Sequence, residues 1–209
     1  MDTTFESIGK RVALLVLSVL IGIAFDFVDG FSARALKVPS QFGKELDSLA
    51  DMVTFGVVPG FLFYHHVLKS DADEGLFMLL NLLIATLVPV FAGLRLAKFN
   101  VKDSGKIGFA GLPSSAAALA IIAVPFVMSL ETPLGSYFNQ NQQWLFFVPL
   151  FFSILMVTDV PMFNFKSFKA GIKGNLIQLI YVATLIPIAL ILRWDGLIIS
   201  ILWYILLSV

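Results

Sequence analysis

Apolar runs long enough to cross a bilayer follow one another along almost all of this chain, and they leave few folds open. A helix rises 1.5 Å per residue, so about 20 apolar residues span the ~30 Å hydrocarbon layer. Runs of that order lie near residues 11–36, 43–68, 75–98, 112–130, 143–160, 174–193 and 195–209, the last short for a full crossing. In hydrocarbon, backbone N–H and C=O groups must be satisfied within the protein, which helices manage and open sheets do not. The pattern predicts an all-α polytopic bundle of about 6–7 membrane helices, forming one membrane-embedded domain over residues 1–209. Composition agrees, with 58% hydrophobic residues, 13% charged residues and a mean hydropathy of +0.92. Gly111-Leu112-Pro113 reads as a helix start, and Val160-Pro161 with Gly171 and Gly174 punctuates a loop. Trp144, Trp194 and Trp203 fall near proposed helix ends, where interfacial aromatics belong.

The basic residues sort by loop. Arg34, Lys37, Lys44, Arg95, Lys98, Lys102, Lys106, Lys166, Lys169 and Lys173 fall on one side; Lys10, Arg11, Lys69 and Arg193 fall on the other. Ten against four, in alternation, places the first set in the cytoplasm. Asp71, Asp73 and Glu74 and the segment 131–143 are expected outside. The formal net charge is zero, so no nucleic-acid partner is expected. With no cysteine there is no disulfide, thiolate metal site or cysteine nucleophile. The N-terminus lacks the charged start and cleavage site of a secretory signal.

Against this apolar background, one cluster of charge stands out. Asp26, Asp29, Gly30, Ala33 and Arg34 follow an i, i+3, i+4, i+7, i+8 pattern, a single helical stripe. Gly43, Asp47 and Asp51 make an i, i+4, i+8 stripe on the next helix. A charged residue at mid-bilayer costs about 2.5–3.5 kcal/mol on insertion scales. Two facing stripes would direct four aspartates into one pocket at the cytoplasmic end, with Gly30 and Gly43 leaving room for a bulky guest. Four converging acids must either share protons or hold cations. With oxygen ligands only, Mg²⁺ or Mn²⁺ is the natural choice, and two ions clamping a diphosphate suit in-line displacement at phosphorus. Arg34 offers a planar fork to phosphate, and a carboxylate left off the metals could serve as general base. Two other readings stay open: acids and arginine pairing structurally across helices, and an ion-coupled transporter binding its coupling ion at these acids.

The spacing D-x2-D-G-x2-A-R-x8-G-x3-D-x3-D, complete here from Asp26 to Asp51, resembles the signature of the CDP-alcohol phosphotransferase family. The resemblance implies a metal site formed by Asp26, Asp29, Asp47 and Asp51 that holds two Mg²⁺ or Mn²⁺ ions. It implies binding of the CDP-linked donor by Asp29, Gly30, Ala33, Arg34, Gly43 and Asp47, and Asp51 as the base. Asp47-Ser48-Leu49-Ala50-Asp51-Met52-Val53-Thr54-Phe55-Gly56, with Pro59, looks like the phosphatidylserine synthase branch. Leu94-Arg95-Leu96-Ala97-Lys98-Phe99-Asn100 and Phe109-Ala110-Gly111-Leu112-Pro113 are similar to further blocks of that branch. The branch implies CDP-diacylglycerol and L-serine as substrates, phosphatidylserine and CMP as products, membrane lipid around the site, and a homodimer. Another acceptor alcohol, such as inositol phosphate, glycerol phosphate or choline, is the alternative within the family. Members carry one more helix before the motif helix; with 25 residues before Asp26, this chain is expected to lack it.

Arg95 and Lys98 are candidates for the acceptor or a lipid phosphate, Arg95 the more so because it lies deeper in an apolar run. Asn100 is balanced between site and anchor, and Lys102 and Lys106 read as anchors. His65 and His66 read as interfacial rather than metal-binding. Gly56-x3-Gly60 and Ala116 to Ala118 read as helix-packing surfaces. Ser114 and Ser115 read as packing residues placed to reach a substrate, and Asp159 as a solvated acid at a helix end.

Overall fold

A computed structural model describes residues 12–14, 16–26, 28, 41–68, 75–102, 111–130, 132–163 and 175–208. Asp29, Gly30, Ala33 and Arg34 lie outside the described residues, as do Lys10, Arg11, Lys37, Lys69, Asp71, Asp73, Glu74, Lys106, Lys166, Lys169 and Lys173. Every regular element among the described residues is helical: α1 (Val12–Asp26), α2 (Gln41–Met52), α3 (Val58–Phe63), α4 (Leu76–Lys102), α5 (Ser114–Ser129), α6 (Pro133–Gln140), α7 (Phe147–Val157), α8 (Leu176–Leu192) and α9 (Gly196–Ser208).

Residue size decides which helix is central. Helix α5 is rich in alanine and is buried nearly all round. Ala118, Ile122 and Phe126 join Val12, Val16, Val19, Phe55 and Leu62 in one apolar cluster. Ala117, Ile121 and Val124 join Phe63, Val88, Ala92 and Met156 in the other. Small side chains let neighbouring backbones approach, the main way helices adhere where lipid removes the hydrophobic drive. Helix α8, built of Leu, Ile and Val, buries none of its residues; Leu190 and Ile191 are 76% and 77% exposed. Such surfaces suit lipid, and the molecule is a helical membrane protein.

Helices α2 and α3 form one rod interrupted by π turns at Val53–Val57 and Tyr64–Leu68. Pro59 has no N–H to give, and just before it the Val58 N–H reaches back five residues to the Val53 carbonyl. The slip has a packing consequence. Ser48, Met52, Gly56 and Gly60 recur every four residues, and in an uninterrupted α-helix each step would drift about 40°. The wider turn takes up that drift, and all four face α4. Asn100 donates to Ser48 at 2.9 Å. A Cβ on Gly93 would lie 3.1 Å from the Met52 sulfur, one on Gly56 2.8 Å from the Pro89 Cα, and one on Gly60 2.6 Å from the Ala85 carbonyl oxygen. The helix-packing reading of Gly56 and Gly60 holds.

Among the described residues, Glu45–Val67 and Met78–Asn100 are apolar helices long enough to cross a membrane, and Leu176–Ser208 is a third apolar helical stretch. The third folds back on itself at Arg193, where φ is +49°. The Trp203 indole donates to Thr184 at 3.0 Å, and the rings of Tyr181 and Tyr204 lie 5.7 Å apart. α8 and α9 therefore run antiparallel, close to the expected pair at 174–193 and 195–209. Two boundaries differ from expectation. The helix expected over 143–160 is confined to Phe147–Val157, since Gln142–Trp144 forms a 3-10 turn and Thr158 is extended. The segment 131–143, expected outside, holds α6, which bends 91° from α5. Thr132 caps α6 by accepting from the Gly135 N–H at 3.1 Å, and Pro133 occupies its first turn.

Candidate active site

Asp26 comes from the end of α1, and Asp47 and Asp51 from successive turns of α2. One carboxylate oxygen from each lies within 4.8 Å of the other two. A close helix crossing sets this convergence. A Cβ on Gly22 would stand 2.6 Å from Thr54 Cγ2, so the missing side chain leaves room for the Thr54 methyl and lets α1 lie close to the π turn. Asp26 is one turn beyond Gly22, and Asp51 nearly one turn before Thr54, so the crossing brings the two acids together. Asp26 and Asp51 are half-buried and Asp47 is exposed. Oxygens sharing one octahedral Mg²⁺ stand about 3.0–4.2 Å apart. The trio fits such an ion with small side-chain adjustments, and its donors are all hard oxygens. Gly43 lies exposed one turn before Asp47.

Arg95 on α4 is a cation near the carboxylates. Its guanidinium is within electrostatic reach of Asp51 and Asp26. Nη1 donates to the Ser114 hydroxyl at 3.0 Å. Nε is buried and has no hydrogen-bond partner among the described residues. Lys98, one turn on, points elsewhere: Nζ donates to the Val157 carbonyl at 2.9 Å and pairs with Asp159 at 3.3 Å. Both members of that pair are well exposed, so its Coulomb energy is small. Together with the bond from Asn100 to Ser48, three polar residues of this helix end fasten α4 to three neighbours. Arg95 ties it to α5, Lys98 to α7, and Asn100 to α2. Asp159 is a solvated acid as expected, but a paired one.

His65 and His66 sit with ring centroids 4.9 Å apart, about 20 Å of helix rise beyond Asp51. That distance keeps them from the carboxylates. Sequence reasoning passed over Gly22, although it lies on the Asp26 stripe at i−4, and over Gly93, which lies two residues from Arg95.

A family model described as CDP-alcohol phosphatidyltransferase matches residues 4–155. The chain belongs to that family. The match takes in the whole aspartate signature, Arg95, Lys98 and Ser114, while α8 and α9 lie beyond it. A CDP-diacylglycerol–serine O-phosphatidyltransferase of Helicobacter pylori strain J99 is 30% identical over 185 residues, covering 88% of this chain and 74% of the relative. One of Bacillus subtilis strain 168 is 38% identical over 111 residues, covering 53% and 59%. The archaetidylserine synthase of Methanothermobacter thermautotrophicus is 36% identical over 117 residues, covering 55% and 47%. No solved structure matches the chain.

Proposed function

We propose that this member of the CDP-alcohol phosphatidyltransferase family transfers the phosphatidyl group of CDP-diacylglycerol to L-serine, releasing CMP. The observation that carries the reading is the convergence of Asp26, Asp47 and Asp51 within 4.8 Å, in a family signature, beside an arginine suited to a carboxylate. Like the relatives named above, it would act on serine. The serine hydroxyl oxygen forms a new bond to the lipid-linked phosphorus, the bond from that phosphorus to the bridging oxygen breaks, and CMP leaves with the electron pair. Asp51 takes the hydroxyl proton. Asp26, Asp29, Asp47 and Asp51 would hold two divalent cations, Mg²⁺ or Mn²⁺. When bound, such cations supply charge stabilisation at the diphosphate. Gly30, Ala33 and Gly43 leave room for the cytidine end of the donor, and Arg34 pairs with its phosphate. Arg95 faces the serine carboxylate, since a metal- and phosphate-rich pocket needs a cation to hold an anionic acceptor. Lys98 serves as an anchor, tied to Val157 and Asp159.

The ten-to-four distribution of basic residues supports a multi-pass chain with this pocket facing the cytoplasm, where serine is dissolved. A homodimer rests on the family resemblance. The test is an acceptor panel with labelled CDP-diacylglycerol and separated lipid products. Phosphatidylserine formed with one CMP per lipid is the expected result. A different phospholipid would reassign the acceptor, and substrate movement across vesicles without CMP would favour a transporter.

A further inference from the structure

We propose that Ser114 is a positioning residue for acceptor choice, holding Nη1 of Arg95 so that the Nε–Nη2 edge of the guanidinium meets the acceptor carboxylate. The inference rests on the reading of Arg95 as the carboxylate's partner and adds the means by which its fork is aimed.

Ser114 is a fixed point. It is 4% exposed and is the first residue of α5, the most buried helix of the bundle. The loop before it is pinned to the end of α7: the Gly111 N–H donates to the Val160 carbonyl at 2.9 Å, and the Leu112 N–H to the Leu155 carbonyl at 3.0 Å. Gly111 has φ +81°, and a Cβ there would lie 2.8 Å from the Thr158 carbonyl oxygen, so the turn admits little but glycine. Arg95, by contrast, is a long side chain that must be immobilised before its planar fork can select anything. The bond of Nη1 to Ser114 does so. A guanidinium grips a carboxylate through two neighbouring N–H donors. With Nη1 engaged, the side-on pair of donors that remains is Nε and Nη2, and among the described residues Nε is a buried donor without a partner. Burying a donor unpaired is costly, and an incoming carboxylate oxygen removes that cost. The α5 N-terminus adds positive potential beside the same arginine.

A merely structural bond from α4 to α5 would also involve these two residues, so the test must separate the roles. Two-substrate steady-state kinetics are measured on the full chain in mixed micelles for Ser114→Ala, Ser114→Thr, Arg95→Ala and the double variant. Ser114→Ala should raise the serine KM about tenfold and leave the CDP-diacylglycerol KM within about twofold. Ser114→Thr, which keeps the hydroxyl, should restore the parent value. Adding Ser114→Ala to Arg95→Ala should have no further effect on the serine KM, because Ser114 acts through Arg95. Should Ser114→Ala fail to fold, Ser114→Cys gives the same reading, since a thiol is a weak acceptor of similar size. A rise in both KM values together, or multiplicative effects in the double variant, overturns the proposal. A normal serine KM in Arg95→Ala overturns the reading of Arg95 itself. A raised KM in Arg95→Ala with a normal one in Ser114→Ala overturns only the role of Ser114.

Discussion

Replacing Gly56 by alanine moves the machinery without touching a residue that meets substrate. The new Cβ would stand 2.8 Å from the Pro89 Cα and 3.1 Å from the Ala92 Cβ. Carbon atoms pack at about 3.5–4.0 Å, so α4 must retreat by about 0.7–1.2 Å. Backbone atoms cannot rotate aside as a side-chain tip can. The 2.9 Å bond from Asn100 to Ser48 would stretch past about 3.6 Å, beyond hydrogen-bond length. Arg95 lies six residues beyond Pro89 on the same rigid helix and would be carried away from Asp51 by a similar distance. Overpacking of this kind costs about 1–3 kcal/mol of stability. A misplacement near 1 Å costs about a hundredfold in rate. Gly56→Ala should therefore lose most of its turnover, read as CMP release in micelles, while the folded fraction by size-exclusion chromatography falls only modestly. Gly75→Ala is the control: φ is +69° there but nothing lies within 4 Å. It carries a strain of about 1–2 kcal/mol without moving α4, and should keep its activity. Parent-like turnover in Gly56→Ala would refute the claim that this helix contact sets the site.

Three further outcomes follow from named contacts. Asp51→Asn should lose turnover about a thousandfold, within the usual range for a general base, while still binding CDP-diacylglycerol by calorimetry; Asp47→Asn should weaken donor binding as well. Arg95→Lys keeps the charge and loses the fork, so its serine KM should rise about tenfold with that for CDP-diacylglycerol unchanged in the same kinetics. Asp195 is buried far along the chain from the carboxylates and accepts from the Thr132 hydroxyl and, at 3.3 Å, the Leu134 N–H; Asp195→Ala should lower stability by about 1–3 kcal/mol, seen as a fall in Tm, with both KM values unchanged.

The carboxylate cluster was legible in the sequence because helix periodicity is local: Asp47 and Asp51 share a stripe wherever their helix goes. Which partner a side chain takes is not local. Lys98 and Arg95 sit one turn apart in the same helix end, and nothing in the sequence says that one reaches Asp159 and the other Ser114. The core was half-legible. The alanines of α5 signalled close packing, but the contrast with leucine-rich α8 was needed to see which helix is central and which meets lipid. The π turn before Pro59 is a shift in hydrogen bonding that periodicity does not reveal, although it is what keeps Ser48, Met52, Gly56 and Gly60 on one face. Helix α6 was missed because eight residues carry too little periodicity, though Thr132-Pro133 is a helix start in its own right. Gly22 escaped notice because a glycine in an apolar run signals nothing until the residue it faces, Thr54, is known.

In the proposed function, Asp26, Asp47 and Asp51 form a divalent-metal site on which turnover depends. The most direct measurement is equilibrium Mn²⁺ binding to the purified protein in micelles, followed by electron paramagnetic resonance, with turnover recorded at each free-metal concentration. Saturable binding that turnover follows, abolition of both by chelator with recovery on adding Mg²⁺ or Mn²⁺, and loss of the bound-metal signal in Asp47→Asn are the expected results. Full turnover in excess chelator, from protein that carries no bound metal, would contradict it.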